Sequence, residues 1–177
     1  LSGVEKGTEK MILSDQDFVC QFADLDEINS KVSFVYEDAY APHLAAKKSN
    51  CLVDLNVIKK DLDDMVMHHD IVIIEGSGGI ICPLRDDENM IMLSDVMNLA
   101  KFPLIIVTSS GLGSINSAVL TALYAKSLGL EVLGFIMNYF EEDSILHWDN
   151  QRMIEKLSGY RVLGYLGKNS DKIKKIS

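Results

Sequence analysis

Between residues 54 and 163, short apolar runs rich in β-branched side chains alternate with stretches whose apolar positions recur at helical spacing, the pattern of an α/β sheet. Ile71-Val72-Ile73-Ile74 is unbroken and ends at Glu75 and a glycine-rich turn, which predicts a strand buried on both faces. Leu104-Ile105-Ile106-Val107 repeats the pattern behind Pro103 and leads into the small, polar segment Thr108 to Gly113. Val132 to Met137 ends at Asn138, and Arg161-Val162-Leu163 ends at Gly164. Helices are expected at Asp54 to His68, with Leu55, Ile58, Leu62, Met65 and Val66 on one face, and at Leu93 to Lys101, Ile115 to Leu128 and Leu146 to Leu157. Gly129 and Gly159 are positioned to stop the last two.

Residues 1 to 53 are less regular, with short helices expected at Asp15 to Phe22 and Leu44 to Lys48; the lysine-rich tail Ser170 to Ser177 reads as a short surface helix. Strand, helix, strand at this spacing needs right-handed crossovers, hence a mostly parallel sheet with helices on both faces and ligands at the strands' carboxyl ends. Without a repeat, linker or low-complexity tract, residues 1–177 are expected to form one domain.

Composition narrows the partners. Lys and Arg number 17 against 26 Asp and Glu, a net charge of −9, which disfavours nucleic acid and anionic membrane surfaces. With 47% hydrophobic and 24% charged residues the chain has the composition of a folded globular protein. Cys20, Cys51 and Cys82 are odd in number and scattered, which argues against a disulfide framework or structural zinc and for a reducing cytoplasm. The apolar runs fall far short of the roughly 20 residues that a spanning helix needs. The opening Leu1-Ser2-Gly3-Val4 has neither Met nor a signal-peptide pattern and reads as the start of a fragment.

Candidate chemistry concentrates after the strands. A carboxylate at the tip of a buried strand calls for a cation, so Glu75 suggests a metal ligand, and Gly76-Ser77-Gly78-Gly79 can bring backbone N–H groups close to an anion. The same loop can equally be a sharp turn with Glu75 in solvent. Ser109 to Asn116 resembles a dinucleotide fingerprint, but Asn116 replaces the third glycine and no acidic residue ends the next strand, which argues against a nicotinamide site. What remains is a helix start suited to carboxylate or phosphate, or simply Ser114 capping a helix. Asp15 reads first as a helix N-cap and second as a metal ligand. His68-His69-Asp70 suits a helix C-terminus better than a metal site, and Asp86-Asp87-Glu88 a solvated loop. Ser77 lacks the glycine that a nucleophile elbow requires, so serine hydrolase chemistry is unsupported.

The order IVIIEGSGG, Pro83-Leu84, FPLIIVTSSGLGSIN and GFIMN, with Ser2-Gly3, Ser14-Asp15 and Ala41-Pro42-His43 in register, resembles the dethiobiotin synthetase family along essentially the whole chain. The single glycine loops are shared with related P-loop ligases, including those acting on cobyrinic acid; the ensemble points to this family. The resemblance implies a P-loop NTPase-like, three-layer α/β fold and a cytoplasmic, homodimeric, Mg2+-dependent ligase. That ligase joins CO2 to 7,8-diaminononanoate and uses ATP to close the ureido ring. A carbamate forms, the γ-phosphoryl group activates it, and the second amine displaces phosphate.

By motif position, Asp15 and Glu75 resemble the two carboxylates that hold nucleotide-bound Mg2+, with Gly76, Ser77 and Gly78 beside the nucleotide. Ser2 resembles a contact to the diamine, and Gly78 and Gly79 lie against the carbamate or phosphoryl end. Gly113, Ser114, Ile115 and Asn116 resemble the helix start that grips the substrate carboxylate of the neighbouring subunit, which makes the active site shared across the dimer. Asn138 resembles the asparagine that reads adenine, with Gly167-Lys168-Asn169 completing the base pocket.

The family's G-x-x-x-x-G-K-[ST] loop and a second lysine belong upstream of Leu1, so a native product longer by roughly 35 to 45 residues and an inactive fragment are expected. Gly111 and Ser117 stand where a basic residue and a histidine are common in the family, departures that bear on fine substrate contacts. The alternatives are a cobyrinate-type amide ligase and a non-catalytic α/β regulatory paralogue.

Overall fold

The computed structural model describes residues 14–38 and 40–176, which divide into a compact unit ending at Ala100 and a second beginning at Lys101. Element order is α1 (Ser14–Ala23), a 3-10 turn (Glu27–Asn29), α2 (Pro42–Lys48), α3 (Leu55–His68), β1 (Pro83–Arg85), β2 (Ile91–Met92) and α4 (Leu93–Ala100) in the first unit. The second contains β3 (Leu104–Ser109), α5 (Ser114–Ser127), β4 (Val132–Asn138), α6 (Ile145–Ser158), β5 (Val162–Tyr165) and β6 (Lys174–Lys175).

Local chemistry sets the helix boundaries of the first unit. Asp15 and Asp17 sit in the first turn of α1, where negative charge complements the helix dipole. Pro42 starts α2, where its missing N–H costs nothing, and Ala45 and Ala46 turn inward beside the buried Tyr36. Asp54 caps α3 by accepting from the Asn56 N–H at 2.8 Å, and Asp95 does the same for Met92 N–H at the start of α4. The core of this unit is Val53, Leu84, Ile91, Leu93 and Val96, with Leu55 and Ile58 of α3 packed against it. Val66, expected on the apolar face of α3, is exposed.

Two expectations fail. Ile71 to Ile74 forms no strand: it pairs with no described strand, and Ile71 and Ile73 are 81% and 89% exposed. A strand is defined by its ladder, and an apolar run without a hydrogen-bonding neighbour has nothing to hold it in one. The tail is not a helix either. Lys174 and Lys175 instead form β6, antiparallel to Gly164 and Tyr165 of β5.

In the second unit β3, β4 and β5 are parallel and β6 completes the order β3-β4-β5-β6. The register places Ile106 beside Phe135 and Val162, and Thr108 beside Met137 and Tyr165, all buried on one face. α5 packs on β3, β4 and α6, and its small residues Ala118, Ala122 and Ala125 let its backbone come close. The alternate positions Ile105, Val107, Leu133 and Leu163 stay exposed, because α5 packs on the other face of the strands. At Gly134, φ is +152° and an added Cβ would stand 2.4 Å from the Arg161 carbonyl oxygen, so only glycine lets β5 approach there. α6 is capped by Ser144 accepting from His147 N–H and stops at Gly159 in the left-handed region, as its glycine signalled.

Candidate functional site

In the first unit the candidates lie on two surface segments. Asp15 is exposed inside the first turn of α1 rather than at the capping position that the sequence favoured, because the helix already includes Ser14. Glu75 is also exposed. The argument that a buried strand tip forces a cation on it therefore falls, since the run before it is neither paired nor buried. The glycines after it differ in role. A Cβ on Gly76 would meet Leu93 Cδ2 at 2.9 Å, so this glycine serves packing, and Gly78 has φ +82° beside Cys82. Around Gly79 nothing would touch an added Cβ, and Ser77 is half-buried between them. Ser2 lies outside the described residues. Among the described residues no cluster of three or more His, Cys, Asp or Glu could cage a metal ion. His68 and His69 turn their Nδ1 atoms to the Asp64 and Met65 carbonyls of the last turn of α3.

The second unit gathers its candidates at the carboxyl ends of β3, β4 and β5, where a parallel sheet leaves space for ligands. Gly113 flanks α5 with φ +89° and Ser114 is the first helical residue, so serine does not cap this helix as the simpler reading proposed. A left-handed flanking residue needs glycine and offers no side-chain acceptor; the Ser114 N–H turns back to the Gly111 carbonyl at 3.3 Å, while the Ile115 and Asn116 N–H groups of the first turn have no backbone acceptor among the described residues. Ser114 is 2% exposed, and its Oγ has no hydrogen-bond partner among the described residues. A buried hydroxyl without a partner is costly, and a ligand at the helix start would relieve it. Ile115 is half-buried and Asn116 exposed on the first turn behind it.

Beside this loop β4 ends at Asn138, whose Oδ1 accepts from the Tyr139 N–H at 2.8 Å, with Tyr139 turned to φ +57°. Phe140 then bonds its N–H to the Leu166 carbonyl at 2.8 Å, and the Phe140 carbonyl oxygen lies within 3.6 Å of a Cβ added to Gly167. The predicted base-pocket segments, Asn138 and Gly167-Lys168-Asn169, are thus neighbours, with Lys168 and Asn169 exposed and Asn169 at φ +60°. Behind them Phe140, Trp148 and Tyr165 form an aromatic cluster with centroids 4.4 to 5.9 Å apart. Glu142 pairs with Lys174 at its edge, and the Lys174 hydrogen bond holds the Glu142 carboxyl below the usual range.

Sequence reasoning missed two residues, Ser110 and Asn150. Ser110 is fully buried, and its N–H and Oγ both donate to the Asn138 carbonyl at 3.0 Å. Asn150 of α6 is 5% exposed and donates from Nδ2 to the carbonyls of Ser110 and Gly111 at 2.8 and 2.9 Å. A signal existed for Asn150: it lies with Ile154 and Ser158 on the buried stripe of α6, and a polar side chain there needs an assigned partner.

Comparison with known proteins gives a consistent picture. A family model described as an AAA domain matches residues 4–174. The "ATP-dependent dethiobiotin synthetase BioD" of Brachyspira hyodysenteriae is 45% identical over 153 residues, 85% of this chain and 69% of that protein. The protein of the same name from Clostridium perfringens is 37% identical over 172 residues, 97% of this chain and 75% of its own length. Among solved structures, a ParA family ATPase from Chlorobium tepidum superposes with a TM-score of 0.53 at 16% identity, covering 94% of this chain and 64% of that one. At that identity the likeness concerns the fold, an α/β architecture of the P-loop NTPase kind with a mostly parallel sheet.

Proposed function

Since the chain belongs to the AAA-domain family and, by relatives at 37 to 45% identity, to the dethiobiotin synthetases, we propose that it works in biotin biosynthesis as an ATP-dependent ligase on 7,8-diaminononanoate and CO2. The observation that carries the assignment of sites is the start of α5, where the Ile115 and Asn116 N–H groups lie beside a buried Ser114 hydroxyl that has no partner among the described residues. That arrangement suits the carboxylate of a linear amino acid derivative, with Gly113, Ile115 and Asn116 around it. Asn138, backed by Gly167-Lys168-Asn169, suits the nucleotide base, since its Nδ2 offers a donor for adenine N7 and its Oδ1, which accepts the Tyr139 N–H, keeps a second lone pair for N6.

Asp15 and Glu75 are the proposed Mg2+ ligands. Mg2+ with a nucleotide is normally held by one or two carboxylates and the phosphate oxygens rather than by a protein cage, and both carboxylates are exposed. When bound, the ion neutralises charge that develops on the transferred phosphoryl group. Ser77, Gly78 and Gly79 would hold the carbamate or phosphoryl end through backbone N–H groups, and Gly79 has the open space for it. In the reaction an amine adds to CO2 and loses a proton, the carbamate oxygen takes the γ-phosphoryl group as ADP leaves, and the second amine attacks the carbonyl carbon and loses a proton, closing the ring as phosphate leaves. The chain's task is alignment and charge neutralisation, not covalent catalysis.

This reading also includes a homodimer with the α5 start of one subunit serving the other's substrate, and a cytoplasmic setting in keeping with the free thiols. No helix among the described residues is long and apolar enough to cross a membrane. The test is phosphate release by the full-length protein with Mg2+ and ATP. Release is expected only when diaminononanoate and bicarbonate are both present, and the Mg2+ requirement should rise in Asp15→Asn and Glu75→Gln. Release that ignores either substrate refutes the function; an unchanged Mg2+ requirement in both variants removes the two carboxylates from it.

A further inference from the structure

Ser110 occupies an unusual place in the second unit. Its N–H and hydroxyl both reach the Asn138 carbonyl at 3.0 Å, and the hydroxyl lies 2.8 Å from the Tyr139 carbonyl. One fully buried residue therefore holds both carbonyls of the turn that follows β4, the turn whose Tyr139 N–H holds the Asn138 amide oxygen. On its other side the Ser110 carbonyl accepts the Asn150 amide at 2.8 Å, and the same nitrogen holds the Gly111 carbonyl at 2.9 Å. Gly111 in turn accepts the Ser114 N–H at 3.3 Å, at the first residue of α5. A continuous chain of hydrogen bonds thus runs from the end of β4, through Ser110, to the start of α5, with Asn150 clamping its middle from α6.

The geometry has an energetic consequence. With two carbonyls directed at one amide nitrogen in a buried place, loss of Asn150 takes this donor from the Ser110 carbonyl and leaves the Gly111 carbonyl with the longer Ser114 N–H bond, and loss of the Ser110 hydroxyl leaves the Tyr139 carbonyl without that donor. Neither loss removes a group that Ser114 or Asn138 presents to a ligand. Both would blur the relative placement of the two loops.

We propose that Ser110 and Asn150 are positioning residues that set the base-facing turn at Asn138 and the anion-facing start of α5 as one unit, so that order gained at one is felt at the other. The proposal rests on the reading of Asn138 as base contact and of Gly113 to Asn116 as substrate-carboxylate contact. It adds that the two are coupled within a single subunit. In the dimeric arrangement proposed above, nucleotide held by one subunit would then organise the surface that this subunit offers to its neighbour's substrate.

The experiment is steady-state kinetics on the full-length enzyme with KM for ATP and for diaminononanoate measured separately. Asn138→Ala and Asn116→Ala come first: they should raise the KM for ATP and for diaminononanoate respectively, and if neither does, the site reading fails and the coupling with it. Given that outcome, Ser110→Ala should raise both KM values by about fivefold, the size usual for coupled sites, with a smaller change in kcat. In the Asn138→Ala background the effect of Ser110→Ala on the ATP KM should vanish, because one chain of contacts is broken only once. Asn150→Ala should reproduce the double KM effect if it folds, and Ser110→Ala decides the matter if it does not. A lowered melting temperature or kcat with both KM values unchanged, or a rise in one KM alone, overturns the proposal while leaving the sites themselves standing.

Discussion

Beyond Lys101, four strands share one ladder around fully buried Phe135, Met137 and Ile154, whereas before Ala100 the only described strands are two short antiparallel ones and the apolar run Ile71 to Ile74 lies on the surface. The two apolar segments Ile71 to Ile74 and Leu104 to Val107 have nearly the same composition. They part because Leu104 to Ser109 finds β4 in register beside it, and residues 71–74 find no strand among the described residues. Apolarity makes a run want burial; only a neighbour with free N–H and C=O groups makes it a strand.

The sharpest way to break this comparison is a pair of substitutions. Phe135→Ala removes a ring with no exposure and should cost about 3 to 5 kcal/mol, enough to unfold a marginal unit. Ile73→Ala, at a position 89% exposed, should change stability by no more than about 0.5 kcal/mol. Urea unfolding of the chain reads both. A loss at Ile73 comparable to that at Phe135 would mean that the run is covered in solution.

Next in size is Gly134→Ala, which tests whether the close approach of β5 to β4 governs the second unit. The added methyl would meet the Arg161 carbonyl oxygen at 2.4 Å, and φ of +152° is strained for any other residue. A cost of about 3 kcal/mol is expected from the strain and the displaced backbone, with the same unfolding assay as the measure. A near-neutral result would show that β5 can shift away without loss, and the ladder would then matter less than the comparison holds.

The sequence made most of this legible where local chemistry and periodicity agree. The Asp54 cap, the stop at Gly159 and the three runs that became β3, β4 and β5 needed no tertiary information. The two misreadings share one physical cause. Ile71 to Ile74 and Lys174-Lys175 take their conformation from the presence or absence of a partner strand, which no window of sequence contains. For the site, the glycine loops were visible, but Ser110 was not, because its role comes from a carbonyl that follows it by many residues. Ser114 was visible for the wrong reason: a serine before an apolar helix suggests a cap, and only the left-handed Gly113 reveals that the hydroxyl is left over.

A smaller effect sharpens the first unit. Tyr36, 4% exposed, donates its hydroxyl to the Cys51 carbonyl at 2.9 Å, and burial, with the Cys51 thiol adding to it, pushes the phenol up to about 12. The neutral form is the one the fold favours, so this stabilisation is complete below the ordinary value of 10.0 and is lost as pH rises toward about 12. Tyr36→Phe should cost about 1 kcal/mol at neutral pH through the lost hydrogen bond. It should also flatten the fall in stability that the parent shows above pH 10.0, followed by denaturation at stepped pH. An unchanged alkaline profile would assign that loss to other groups.

The smallest effect concerns the strand that the sequence read as a helix. β6 is held to the rest of its sheet by two ladder residues and by the pair of Lys174 with Glu142, both exposed. The Lys174 hydrogen bond, helped by its charge, depresses the Glu142 carboxyl, and that carboxylate raises Lys174 in return. A depressed carboxyl contributes above its unfolded value and stops contributing as pH falls through the folded one, so the pair should weaken only below the ordinary carboxylate range near about 4. Protection of the Tyr165 and Lys174 amides, measured against their intrinsic exchange rates at each pH, should fall in that window and in high salt, which screens an exposed pair, while protection at Phe135 stays unchanged. Glu142→Gln should give the lowered protection at neutral pH and abolish its dependence on both variables. If protection at Lys174 ignores pH, salt and the substitution alike, the backbone ladder alone holds β6, and charge has no part in turning this lysine-rich tail into a strand.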